Sequence, residues 1–143
     1  WGQVWIPPAA ESDLLRLALL ASYGGVWADS TMLCRRPLDN WLPEAAASGF
    51  FAYAPEDHKQ NLPVMSSFLA SSKGHSIVLS WLKRTTEHWS LPSQRRPDLG
   101  FFWLHHLFGQ MVAEDGDEAD PETRSAWQLV PRTSGEYGVR GPH

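Results

Sequence analysis

Charged side chains and hydroxyls are grouped near the start of the chain in a pattern that suits ligand binding. Asp13 and Arg16 lie three positions apart. Asp29 is followed directly by the hydroxyls of Ser30 and Thr31. A carboxylate accepts hydrogen bonds from ligand hydroxyls or holds a metal ion through water, and a guanidinium binds carboxylates or phosphates through two parallel hydrogen bonds. Together these groups would form a pocket for a polar ligand.

An amphipathic helix is predicted to carry the first two of these side chains. Ser12 is a favourable N-cap residue, which would put Asp13 in the positively polarised first turn. Gly24 or Gly25 would then end the helix in a left-handed conformation. The apolar positions that recur at helical spacing are Leu14, Leu15, Leu17, Ala18, Leu19 and Leu20.

A short interior strand is predicted to follow the two glycines. Val26, Trp27 and Ala28 favour a sheet, because β-branched and aromatic side chains pack well on a pleated surface. Asp29 would then stand at the carboxyl end of a strand, where ligands gather in open α/β sheets. Asp13 and Arg16 share one helix face. If helix and strand pack as a hairpin, the three charged side chains converge on one pocket.

Each of these residues also has a purely structural interpretation. Asp29 suits a turn in which its side chain bonds to its own backbone. Asp13 in a first helical turn would stabilise the helix by about 0.3–1 kcal/mol through the helix dipole. The Asp13–Arg16 spacing also fits an exposed ion pair, which contributes little to stability.

The composition narrows the class of protein. The chain has 143 residues, enough for one domain with a hydrophobic core, and its formal charge is −4. Such a mild charge gives no reason to expect nucleic acid or an anionic membrane as a partner. The single cysteine, Cys34, excludes an internal disulfide and fits a reducing compartment such as the cytoplasm. No apolar run approaches the ~20 residues that span a bilayer, so no transmembrane segment is expected.

Periodicity and turn residues predict further elements along the chain. Residues 32–34 would extend the first strand, and two more strands are expected at 50–54 and 65–71. Helical patterns occupy residues 38–47, 74–89 and 99–112, the last of them apolar nearly all round and therefore buried. Residues 122–130 fit either a short helix or a strand.

Histidines and tryptophans offer weaker signals. His105 and His106 are adjacent, and neighbours on a helix point about 100° apart, so at most one of them faces a pocket. Trp27 and Trp103 are predicted to be core residues, and the pattern indicates this less clearly for Trp89 and Trp127. An exposed indole is a common platform for stacking on a sugar face or a base.

Residues 12–31, SDLLRLALLASYGGVWADST, resemble the core of the capsular polysaccharide synthesis proteins. Those proteins are similar to a wider group of sugar transferases with a DxD signature. The shared pattern is S-D-x-x-R, a leucine-rich helix, and G-G-hydrophobic-aromatic-x-D-x-D/T. Looser agreement continues in later segments, at residues 41–42, 49–52, 68–71, 101–108 and 141–143.

The resemblance implies an α/β fold with a GT-A-like core, as in nucleotide-diphospho-sugar transferases. Only a short segment precedes the predicted helix, where relatives have a nucleotide-binding half. We therefore expect residues 1–143 to form a single domain that is part of a glycosyltransferase catalytic domain. The implied activity moves a sugar from a nucleotide-sugar donor to a glycan acceptor, in capsular or other surface polysaccharide synthesis. We expect it in the cytoplasm, free or peripheral at the membrane.

The resemblance also implies roles for particular residues. It marks Asp13, Arg16 and Asp29 as catalytic and donor-binding residues. The donor site would add Gly24, Gly25 and Thr31. A divalent metal, Mn²⁺ or Mg²⁺, is implied as cofactor, with the candidate ligands Asp29, Thr31 and His143. Thr31 stands where the DxD transferases have their second aspartate, which leaves direct metal binding open.

Two other classes of protein remain as alternatives. The run from Val26 to Leu33 faintly resembles the D-x-D-x-T motif of haloacid-dehalogenase-like phosphatases, but it lacks the second aspartate and a threonine at the right spacing. A non-catalytic module is the other alternative, either a degenerate transferase fragment or a glycan-binding or scaffold domain. The replaced carboxylate at Thr31 favours that alternative.

Overall fold

Helices cover both faces of a small antiparallel sheet in the computed structural model, which describes residues 5–54, 63–113 and 121–130. None of the described helices is long and apolar enough to cross a bilayer. In chain order the elements are α1 (Pro8–Tyr23), β1 (Gly25–Ala28), a 3₁₀ helix (Leu38–Asn40), α2 (Leu42–Ala45), β2 (Phe50–Ala52), β3 (Phe68–Ser71), α3 (Ser76–Ser90), α4 (Trp103–Val112) and α5 (Pro121–Gln128).

The three strands lie in the order β1-β3-β2, and both pairings are antiparallel. Val26 and Phe51 flank Ala70 from either side. All four residues of the central strand β3 are buried. The sheet and its covering helices confirm the α/β class in general terms, while a GT-A arrangement stays a prediction.

The alternation of side chains along β3 divides the core into two clusters. Leu69 points into the larger cluster, with Leu17 of α1 and Trp81 of α3. Phe68 and Ala70 point to the opposite face and pack with a smaller aromatic cluster of Trp41, Ala45 and Phe51. Because helices α1, α3 and α4 cover one face and the α2 region covers the other, the central strand has no exposed side.

The predicted interior position of β1 is wrong. β1 is an edge strand of the described sheet, and Trp27 is its single half-buried residue. The predicted extension of this strand through residues 32–34 is also wrong. The Met32 N–H bonds to the Asp29 carbonyl at 2.9 Å, so the chain turns directly after Ala28.

The start of α1 also differs from the prediction. The helix begins at Pro8, so Ser12 lies inside it and is not the N-cap, and Asp13 lies beyond the first turn. Proline fits the first helical position because its fixed φ suits a helix and its missing N–H would have no partner there. The helices predicted at 74–89 and 99–112 are confirmed as α3, shifted by one or two residues, and as the shorter α4. The strands predicted at 50–54 and 65–71 are confirmed as the shorter β2 and β3, and residues 122–130 fall largely in α5.

Gly24 ends α1 and turns the chain into β1. Its φ of 70° lies in the left-handed region, and its N–H bonds to the Leu20 carbonyl at 2.8 Å. A Cβ at this position would lie 2.6 Å from the backbone nitrogen of Lys73. The hairpin between helix and strand therefore depends on glycine here for two reasons, conformation and space.

We predict that Gly24→Ala lowers the free energy of unfolding more than Gly74→Ala does. Gly74 has nearly the same φ, 69°, but open space around its Cα, so it isolates the conformational cost of about 1–2 kcal/mol. Overpacking against Lys73 adds about 1–3 kcal/mol at Gly24. Urea unfolding of both variants measures the difference, and equal losses would contradict the close approach.

Candidate functional site

The hairpin of α1 and β1 brings the three charged side chains together, as the sequence predicts. Arg16 Nη2 lies 2.9 Å from Asp13 Oδ1. The same nitrogen lies 3.5 Å from Asp29 Oδ1, at the end of β1. Arg16 thus stands between two carboxylates that are 16 positions apart in sequence.

Two further contacts fix the position of Arg16. Its Nη1 donates a hydrogen bond of 2.6 Å to the carbonyl of Ser66, in the segment that leads into β3. Its guanidinium lies over the Trp27 ring at 5.1 Å. Arg16 is only 6% exposed. A cation this deeply buried needs such partners, because removing it from water is costly.

Two hydrogen bonds hold Asp29 in position. Trp27 Nε1 donates a hydrogen bond of 2.8 Å to Asp29 Oδ1. The Asp29 backbone N–H donates to the Ser67 carbonyl, also at 2.8 Å. The Asp29 side chain is nevertheless 33% exposed, and that of Asp13 is 17% exposed. Both carboxylates therefore stay accessible to a ligand while their orientation is fixed.

The three side chains line a cleft of about 1090 Å³. The cleft is bounded by α1, the end of β1, the segment before β3, the end of α3, and the connection from α3 to α4. Its size suits a ligand larger than a single sugar, since pockets for drug-sized molecules are about 300–1,000 Å³. Ser30 and Thr31 also line it.

Burial and neighbouring charges alter the acidity of Asp13. Burial raises the pKa of the Asp13 carboxyl, and the nearby Asp29 charge raises it further. Arg16 and a hydrogen bond from Trp103 act in the opposite direction. The cluster thus carries two acidic groups around one cation, and the cation does not fully offset the cost of burying Asp13.

His105 supports the backbone segment that binds Arg16, a role that the sequence did not indicate. The Ser66 N–H donates to His105 Nε2 at 3.3 Å, while the Ser66 carbonyl accepts from Arg16. Burial, with the charges of Arg16 and His106, lowers the pKa of His105 to about 4. The ring is therefore neutral near pH 7, and its acceptor role at Nε2 assigns the proton to Nδ1. His105 lines the cleft and His106 is exposed, as adjacent helix positions require.

The structure does not bring every predicted site residue into the cleft. Gly24 and Gly25 are absent from its lining, and the packing of Gly24 against Lys73 accounts for that glycine. The donor-binding role of the two glycines stays a prediction. His143, a candidate metal ligand, lies outside the described residues.

A divalent metal cofactor stays a prediction for the residues that the structure describes. They contain no group of three histidine, cysteine or acidic side chains that could hold an ion. Asp29 Oδ1 already accepts from Trp27 and faces Arg16, and Thr31 adds only a neutral oxygen. Mg²⁺ is usually held by one or two carboxylates together with substrate phosphates and water, so an ion here would take further oxygen ligands from the substrate.

Comparisons with known proteins identify the family of this chain. The family model described as "Capsular polysaccharide synthesis protein" matches residues 1–135. The chain is 34% identical over 67 residues to "Subversion of eukaryotic traffic protein A" from Legionella pneumophila subsp. pneumophila (strain Philadelphia 1). That match covers 47% of this chain and 10% of the relative, so the chain spans a small part of the relative's length. No solved structure gives a significant match.

We predict that the protein loses stability as the pH falls from about 6.5 to about 4, and that His105→Gln reduces this loss. Histidine in the unfolded chain gains its proton near pH 6.5, whereas buried His105 resists protonation down to about 4. The difference is worth about 3 kcal/mol. Glutamine keeps an acceptor for the Ser66 N–H and does not titrate. Urea unfolding of the parent and of His105→Gln at pH 7.5 and at pH 4 measures the loss of stability in each.

Two other titratable groups also affect how the stability depends on pH. His88 also has a lowered pKa, caused by burial and then by Arg96, so His105→Gln leaves part of the slope in place. Asp13 acts in the opposite sense, because its raised pKa favours the folded state as the carboxyl gains its proton. An unchanged slope in His105→Gln would contradict the neutral, buried ring.

Proposed function

Because the chain belongs to the capsular polysaccharide synthesis protein family, we propose that it is a glycosyltransferase that moves a sugar from a nucleotide-sugar donor to a glycan acceptor. The observation that carries this proposal is the cluster of Asp13, Arg16 and Asp29 on the lining of the cleft. An ion pair with a purely structural role does not require burial. This cluster, in contrast, combines a buried cation with two carboxylates that a ligand can reach.

In the proposed site, Asp13 and Asp29 accept hydrogen bonds from hydroxyls of the donor sugar or ribose. Arg16 holds one oxygen of each carboxylate, so the carboxylates cannot rotate freely before the donor arrives. A fixed donor keeps its anomeric carbon turned towards the acceptor, and such orientation removes a large part of the entropic barrier to reaction.

The reaction requires positive charge in the site, and Arg16 supplies only part of it. As the bond from the anomeric carbon to the diphosphate oxygen breaks, the nucleoside diphosphate keeps the electron pair, and the acceptor oxygen forms the new bond and releases its proton. The negative charge on the leaving group needs positive groups that are already in place. Arg16 is surrounded by two carboxylates, so we assign it mainly to positioning them. The charge must be matched elsewhere in the cleft.

We predict that Asp29→Asn weakens the binding of the cognate nucleotide sugar at least tenfold. Asparagine retains the oxygen that accepts from Trp27 and Arg16, but it replaces the other carboxylate oxygen with an amide that cannot accept a hydroxyl proton. Loss of one charge-assisted hydrogen bond is worth about 1.5–3 kcal/mol. Calorimetric titration of the full chain with a panel of nucleotide sugars, with Mn²⁺ and again with EDTA, measures this and decides whether the ion is needed.

Asp39→Asn is the matched control, because Asp39 is exposed in the 3₁₀ helix and does not line the cleft. Its affinity for the donor should equal that of the unaltered protein. Glycan binding without affinity for any nucleotide sugar would contradict the transferase proposal and favour a non-catalytic glycan-binding module.

A further inference from the structure

A second arginine lines the same cleft in a different chemical setting. The Arg96 guanidinium carbon lies 4.3 Å from the centre of the Trp89 ring. Arg96 and Trp89 both line the cleft, Trp89 from the end of α3 and Arg96 from the connection to α4. Arg16 and Arg96 are the only arginine or lysine residues of the cleft lining within the described ranges.

The two arginines differ in how their charge is matched. Arg16 has two carboxylates within 3.5 Å. Arg96 forms no ion pair with any residue that the structure describes. The buried Nε atoms of both arginines have no hydrogen-bond partner among the described residues, so the difference between the two lies in their counter-charges. Asp98, the acidic residue closest to Arg96 in sequence, also lines the cleft, where its Oδ1 accepts a hydrogen bond from the Gly100 N–H at 2.9 Å and forms no ion pair with Arg96. A guanidinium that lines a cleft without a carboxylate partner is free to pair with the oxygens of an anionic ligand.

Two packed indole rings line the cleft between Arg96 and the carboxylate cluster. Trp89 packs edge-on against Trp103, with 5.5 Å between ring centres. Trp103 and Asp13 in turn both line the cleft. His88 stacks on the same Trp103 ring at 5.7 Å and 16°. A ligand whose hydroxyls bind at Asp13 therefore has an aromatic surface that leads to Arg96.

We propose that Arg96, held in place by Trp89, binds an oxyanion group of the substrate: the diphosphate of the nucleotide sugar or the carboxylate of an acidic glycan. This inference rests on the proposed function and adds to it the charged subsite that the reaction requires. A planar guanidinium offers paired donors that match the oxygens of a phosphate or a carboxylate. Stacking on Trp89 limits its motion, which lowers the entropic cost of binding.

The test compares Arg96→Gln with Arg95→Gln in the full chain. Arg95 is the adjacent arginine, is exposed and does not line the cleft, so both variants lose the same charge. The probes are inorganic pyrophosphate, UDP, GDP and an oligosaccharide of glucuronic acid, each titrated by calorimetry at two salt concentrations. We expect Arg96→Gln to weaken binding of at least one probe about tenfold to a hundredfold, and Arg95→Gln to leave it unchanged.

The probes identify the source of the oxyanion. Loss of pyrophosphate, UDP or GDP binding assigns the subsite to the donor, and loss confined to the oligosaccharide assigns it to the acceptor. Arg96→Lys should retain part of the affinity, because it keeps the charge and loses the paired donors. Thermal unfolding of each variant confirms that it folds like the parent.

Several outcomes would overturn the inference. They are equal binding of every probe by Arg96→Gln and the parent, an equal loss in Arg95→Gln, or no binding of any probe by the parent. The inference and the proposed function fail separately. Pyrophosphate has no hydroxyl for Asp29, so pyrophosphate binding that depends on Arg96 supports the subsite even if no nucleotide sugar binds. Nucleotide-sugar binding that depends on Asp29 but not on Arg96 supports the transferase and contradicts the subsite.

Discussion

The buried guanidinium of Arg16 is the interaction on which the site depends. Its partners come from three separate stretches of chain: the preceding turn of α1, the end of β1, and the segment that leads into β3. A buried cation that lost any of them would retain the cost of desolvation without the compensating attraction. The hairpin of helix and strand, the sheet pairing and the carboxylate geometry are therefore coupled through one side chain.

Ser66 extends this coupling to α4. Its peptide group accepts from Arg16 on one side and donates to His105 on the other. The arrangement needs an uncharged imidazole, and burial supplies it by lowering the pKa of His105 to about 4. His105 thus supports the backbone of the site through Ser66.

The distribution of charge within the cleft gives the site two chemically distinct ends. Around Arg16 the acidic groups outnumber the basic group, which suits hydroxyls. At Arg96 a cation rests on an indole without a described counter-charge, which suits an anion. Under the proposed function the donor has both kinds of group, since nucleotide sugars carry hydroxyls and a diphosphate.

The sequence by itself determined the local parts: the helical face shared by Asp13 and Arg16, the glycine turn, the short strand, and the position of Asp29 at its end. These follow from periodicity and backbone preference, which act over a few residues. Resemblance over residues 12–31 also sufficed to indicate the family. The tertiary structure alone decided that β1 lies at a sheet edge, that α1 begins at Pro8, and that Ser66 and His105 support Arg16. Ser66 lies 50 residues from Arg16 and 39 from His105 along the chain, and no local pattern encodes a contact over such a separation. Which distant segments meet is decided by how the two faces of β3 are covered, because the chain must bury both of its apolar faces at once.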